Sequence, residues 1–165
     1  MAFKVRKLDH RPWPVTVKQR ECQPDGSVTE VAQTFIAHFK PFTEDDLAAR
    51  RVEIFGAGTD EELAKKAAAR DVREEARLQG RFYAGLLAGW REMQDEAGNP
   101  LPFSEDQVID LCTGPDGPDF RLAFGNALLE IRFGIAPTWQ GGAEKNASTS
   151  PAPGPAAGAS GAPTS

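Results

Sequence analysis

The spacing of apolar positions changes once along this chain, near Thr43. Before it, Val15 and Val17 alternate with Thr16 and Lys18. A second run puts Val31, Phe35, Ala37 and Phe39 on one face, with Glu30, Thr34 and His38 opposite. Alternation at period two marks a half-buried strand, and Pro24-Asp25-Gly26 between the runs supplies a reversal, so residues 1–42 read as β with a hairpin. Phe3, Val5 and Trp13 are candidates for a further strand or an edge, because Pro12 and Pro14 cannot donate within a sheet centre. A lone hairpin is marginal in water, so its apolar face requires a covering layer.

Beyond Thr43 the spacing becomes helical. Phe42, Thr43 and Leu47 make a cap with a hydrophobic staple, and Glu44, Asp45 and Asp46 stand in the first turn, where the helix dipole favours acids. This helix is expected to run through Arg51, with Val52-Glu53-Ile54-Phe55 leading out to the Gly56–Gly58 break. Thr59 with Glu62 is a capping box that opens the longest helix, Asp60 to about Trp90. Its early part has a thin apolar stripe (Leu63, Ala67, Val72, Ala76), whereas Phe82, Tyr83, Leu86, Leu87 and Trp90 line a broad face later on. A sharply specified corner follows. Gly98, Asn99 and Pro100 end a polar turn that starts at Asp95. Phe103, Ser104 and Gln107 then fix a new helix start, with Ser104 and Gln107 as a capping box and Phe103 stapled to Val108. The third helix spans Glu105 to about Cys112, and the last Asp119 to about Phe133, with Phe120, Phe124, Leu128, Leu129 and Ile131 apolar.

The pattern thus predicts an α+β domain: an N-terminal antiparallel β-hairpin or small sheet (1–42) followed by a bundle of about four helices (43–136). Residues 147–165 contain only Ala, Ser, Thr, Pro and Gly. Such a composition buries too little to offset a backbone ordering cost of about 1–2 kcal/mol per residue, so the segment 137–165 is expected to be a disordered tail.

Charge and chemistry narrow the function more than they assign it. A net charge of −5 and a pI near 5.1 argue against nucleic acid as partner, since neutralising phosphates needs a basic face. No run reaches the roughly 18–20 apolar residues of a membrane span, and the start, Met1 to Lys7, lacks the apolar core of a signal peptide. Cys22 and Cys112 form no Cys-x-x-Cys pattern; free thiols, buried or half-buried, in a reducing cytosol are expected. His10 and His38 lie near or within the β segment with no cysteine or second histidine at metal-ligand spacing. Gly56-Ala57-Gly58 lacks the lysine and hydroxyl of a phosphate loop. Asp95, Glu96, Glu105 and Asp106 occupy a turn and a helix start, where acids are expected without catalysis. No catalytic, cofactor or metal residue is assigned, and the chain is read as a non-enzyme. Gly85 and Gly89, beside Ala84 and Ala88, form a smooth patch suited to close helix approach, either within the fold or with a partner.

The order Trp90, then Asp95-Glu96-Ala97-Gly98-Asn99-Pro100-Leu101-Pro102-Phe103-Ser104-Glu105, a short helix, an apolar helix and Lys145-Asn146 resembles the tail assembly chaperones of long-tailed, siphovirus-like bacteriophages and prophages. The Pro-flanked strand Trp13-Pro14-Val15-Thr16-Val17, the stretch Phe35 to Lys40 and the acidic helix start at Thr43 to Leu47 agree with it, so that it covers about residues 1–146. Thr138-Trp139-Gln140 and the long small-residue tail depart from that family's pattern. The resemblance implies a chaperone that acts in the host bacterial cytoplasm. It would bind and solubilise the tape measure protein, promote polymerisation of the tail tube (major tail) protein, and be absent from the mature virion. It also implies a possible frameshifted longer form and leaves a homo-oligomer open. The alternative is a structural virion component, such as a neck or tail completion protein. The partner groove expected under the first reading lies between Tyr83, Leu86, Leu87 and Trp90 on one side and Phe124, Leu128 and Leu129 on the other.

Overall fold

The computed structural model describes residues 1–5 and 7–137. Its elements in chain order are β1 (Arg11–Cys22), β2 (Val28–Phe39), α1 (Glu44–Phe55), α2 (Asp60–Ala69), α3 (Val72–Leu86), β3 (Leu87–Arg91), α4 (Glu105–Thr113) and α5 (Gly117–Phe133). The strands form one antiparallel sheet in the order β1-β2-β3, so the fold is α+β as the pattern predicts. The expected tail from residue 138 onward, with Thr138-Trp139-Gln140 and Lys145-Asn146, lies outside the described residues.

The hairpin follows its sequence closely. β1 and β2 pair from Arg11 opposite Phe39 to Cys22 opposite Val28. The turn closes with Gly26 at φ 84°, a left-handed conformation that glycine adopts at no steric cost. The amide and hydroxyl of Ser27 both donate to the Asp25 carboxylate, at 2.9 and 2.6 Å, and hold its carboxyl below the usual range. Trp13 and the two flanking prolines belong to β1 itself, an edge strand where a missing N–H is tolerated. Phe3 and Val5 join no strand and are almost fully exposed.

The helical half departs from expectation in three places. α1 continues through Val52–Phe55 and stops at Gly56, whose φ of 90° ends it. The long helix divides at Arg70-Asp71. There Arg70 turns extended, and its guanidinium donates to Glu75 at 2.8 Å and to the Phe55 carbonyl at 3.3 Å, tying the junction to the end of α1. The third departure matters most. Leu87–Arg91 is a strand, not the end of a helix. It pairs antiparallel with Ile36–Phe39, and the Lys40 amide donates to the Leu86 carbonyl at 2.9 Å where helix becomes strand. The free edge of β2 outcompetes helical propensity, a tertiary override that local spacing cannot register.

The corner therefore joins a strand to a helix rather than two helices. Gly98 (φ 82°) and Asn99 close a turn onto Asp95, Gln94 bridges Pro100, and the Leu101 amide donates to the Met93 carbonyl at 2.9 Å. Ser104 accepts from the Gln107 amide at 3.0 Å, giving half of the expected capping box. Phe103 packs edge-on against Trp90, with centroids 5.0 Å apart, instead of serving only the helix start. At Thr43 and Thr59 both halves of the box form.

The core lies between the sheet and the helices. Val15, Val17, Phe35, Ala37 and Phe39 turn one sheet face inward, and α3, α4 and α5 cover it with Ala84, Val108, Cys112, Phe124 and Ile131. Phe124 is fully buried, packing edge-on to Phe35 at 5.9 Å and stacked on Tyr83 at 5.6 Å. α3 and α4 pack tightly at Gly80, where a Cβ would come within 3.1 Å of the Ile109 Cα.

Candidate protein-binding groove

Helix α5 carries two apolar stripes. Ala123, Phe124, Ala127, Leu128 and Ile131 face inward and are buried, whereas Leu122, Leu129 and Phe133 sit on the other side, exposed at 64%, 46% and 65%. A helix that buries one apolar face and shows a second has a surface suited to a partner.

Leu122 and Leu129 of the outer stripe line a groove of about 740 Å³, and Phe133 lies outside that lining. α1 and α5 form its walls. Phe82 and Tyr83 of α3 contribute to its floor, and Leu63 of α2 also lines it. Its apolar lining includes Leu47, Val52, Leu122 and Leu129, while Arg51, Asp60 and Arg121 add charge around it. Tyr83 fits against α5 because Gly125 has no side chain; a Cβ there would lie 3.1 Å from the phenol oxygen. Burial raises the Tyr83 phenol above its ordinary value, so the ring stays neutral at any physiological pH.

One ion pair links the two walls. Arg132 of α5 grips Glu44 of α1 in a two-pronged contact, Nε to Oε1 at 3.0 Å and Nη2 to Oε2 at 2.7 Å. The guanidinium holds the Glu44 carboxyl below the usual range, and the carboxylate in turn raises Arg132 through the same hydrogen bonds. Nearby, the gap left by Gly85 is filled by the Arg50 guanidinium, which donates to the Arg81 carbonyl at 2.6 Å. Gly85 thus admits an arginine rather than a helix. Gly89 lies on β3, and a Cβ there would meet nothing within 4 Å, so the expected smooth helix patch does not form.

Of the residues expected to line a partner groove, the structure brings Tyr83, Leu128 and Leu129 into this one. Leu86, Leu87 and Phe124 are core residues with 6% of their surface exposed or less, and cannot meet a partner in the folded state. Leu128 is itself 7% exposed and reaches the groove only marginally. Trp90 is half-buried on β3, its indole donating to the Leu101 carbonyl at 2.7 Å, where it fastens the corner. Sequence reasoning missed Val52, Leu122 and Phe133. The last two could have been found from Leu122, Leu129 and Phe133 sharing a face at intervals of seven and four.

Reactive groups do not gather here. Cys112 is buried beside Arg121, which donates to its carbonyl, and burial pushes its thiol up to about 12. Cys22 is exposed near the hairpin turn, opposite the exposed Val28, contrary to the expectation of a buried or half-buried thiol. Among the described residues no three His, Cys, Asp or Glu side chains are placed to hold a metal ion, and no helix is long and apolar enough to cross a membrane. Comparison with family models, with curated proteins and with solved structures yields no match.

Proposed function

We propose that this chain is a phage tail assembly chaperone that holds an amphipathic helix of the tape measure protein in the groove between α1 and α5. The observation that carries the reading is the second apolar stripe of α5, Leu122, Leu129 and Phe133, which is exposed and of which Leu122 and Leu129 line the groove. The resemblance of the segment from Trp90 to Glu105 supplies the partner's identity. A tape measure protein is long and mostly helical, and its apolar stripes need cover until the tail tube encloses them. A carrier that must later let go works best through modest apolar contacts repeated along the cargo, since affinity then comes from number rather than from one tight pocket.

Co-expression with the cognate tape measure protein, followed by pull-down, tests this proposal. The double variant Leu122→Asp/Leu129→Asp, at two exposed groove residues, should fold and lose capture. Undiminished capture would remove the groove from the interface. Mass spectrometry of purified particles gives a second reading. A chaperone is missing from them, whereas a neck or tail completion protein is present.

A further inference from the structure

Strand β3 stops early. It pairs only with Ile36–Phe39, and continued past Arg91 it would run beside Phe35 and on toward Val28. Glu92 prevents this by adopting φ 63°, the one left-handed non-glycine backbone among the described residues, and the chain turns out of the ladder. No strand among the described residues pairs with Val28–Phe35 on that side, and apart from Val31 the stretch Val28–Thr34 is exposed.

An open edge of this kind invites another strand, and proteins usually blunt it with proline, lysine or a covering element. The outer edge of β1 has all three: Pro12 and Pro14, Lys18, and α5 packed alongside. The free stretch of β2, Val-Thr-Glu-Val-Ala-Gln-Thr, has neither proline nor lysine.

The same molecule carries a segment shaped for such a place. Met1, Phe3 and Val5 alternate with Ala2 and Lys4, the period of a strand with one apolar face. All three apolar residues are more than four-fifths exposed, and the segment is in no regular element. Laid beside β2, its apolar side would share a face with Val31, while Lys4 would share the opposite face with Glu30. We infer that residues 1–5 of one copy add as a strand to the free edge of β2 in a second copy. The exchange occupies the position that β3 leaves at Glu92 and makes the chain self-associating. Main-chain hydrogen bonds supply affinity, and the alternating side chains set register.

The inference is independent of the tape measure reading and is tested on the full chain alone. Sedimentation velocity over a wide concentration series, with hydrogen exchange at each concentration, compares the natural chain with Phe3→Asp/Val5→Asp. Those two side chains touch no core, so the variant keeps its fold, which circular dichroism checks. Association should be reversible and weakened about tenfold or more by the pair of aspartates. Amide protection at Val28–Thr34 should rise with concentration in the natural chain only. A monomer at all concentrations overturns the inference, as does an oligomer indifferent to the aspartates. Concentration-independent protection of that edge would mean the segment closes on its own β2, which overturns it equally.

Discussion

The indole of Trp13 donates a hydrogen bond of 2.8 Å to the Glu130 carboxylate, joining the start of β1 to the far part of α5. Glu130 is 8% exposed, the one charged side chain among the described residues that is buried with the core. A hydrogen bond to a charged group contributes about 1.5–3 kcal/mol, and it here ties the sheet's edge to the helix that walls the groove. Trp13→Phe should lower the free energy of unfolding by roughly that amount, and Glu130→Gln by less, since an amide oxygen still accepts. Urea unfolding followed by circular dichroism measures both. A Glu130→Gln variant as stable as the natural chain would show that the charge on Glu130 adds nothing to the bond, and one as damaging as Trp13→Phe would refute the expected order.

The β half was legible because its information is local. Val15, Val17, Phe35, Ala37 and Phe39 are buried as their alternation predicts, and Thr43 and Thr59 cap helices as their spacing predicts. The groove was only partly legible. Leu86, Leu87 and Trp90 fit a helical stripe equally well, and only the unpaired edge at Ile36–Phe39, distant in sequence, draws Leu87–Arg91 into a sheet. Exposure is similarly non-local. Leu128 and Leu129 are adjacent and chemically identical, yet one is buried and one exposed, because the core covers one side of α5.

Glycines make a second prediction. A Cβ on Gly117 would sit 2.4 Å from the Cys112 carbonyl oxygen, a backbone atom that cannot move aside cheaply. Gly117→Ala should therefore destabilise by about 1–3 kcal/mol, the usual cost of overpacking, by pushing α5 away from the end of α4. Gly89→Ala, with open space around it, should be close to neutral. Thermal unfolding of the two variants side by side checks the contrast, and two equal melting temperatures would refute it.

His38 gives a pH dependence with a definite sign. Burial lowers its pKa from the ordinary 6.5, and the neighbouring charges of His10, stacked on it at 4.6 Å, and of Arg91 lower it further. The unfolded chain therefore binds a proton at higher pH than the folded one, and stability falls as pH drops below about 6.5 through the folded value. The carboxyl of Glu44, lowered by Arg132, loses its contribution only in the more acidic carboxylate range. Melting temperature should thus decline in two separate steps on acidification. His38→Gln should abolish the upper one and leave the lower, and an unchanged upper step would assign it to another group.

Loss of partner capture can arise in two ways, and burial tells them apart. Val52 and Leu122 are 51% and 64% exposed on opposite walls of the groove, so aspartate at either position costs little folding energy, within about 0.5 kcal/mol for a surface site. Leu87 is 1% exposed, and Leu87→Asp buries an unpaired carboxylate, which costs several kcal/mol and unfolds much of the population. Val52→Asp/Leu122→Asp should therefore keep the melting temperature within a few degrees of the natural chain while lowering capture of the proposed tape measure partner. Leu87→Asp should lose both fold and partner together. The useful measurement is pull-down yield plotted against the folded fraction of each variant. If Val52→Asp/Leu122→Asp captures as well as the natural chain when both are fully folded, the groove is not the docking surface, and the exposed end of α5 at Phe133 becomes the next place to probe.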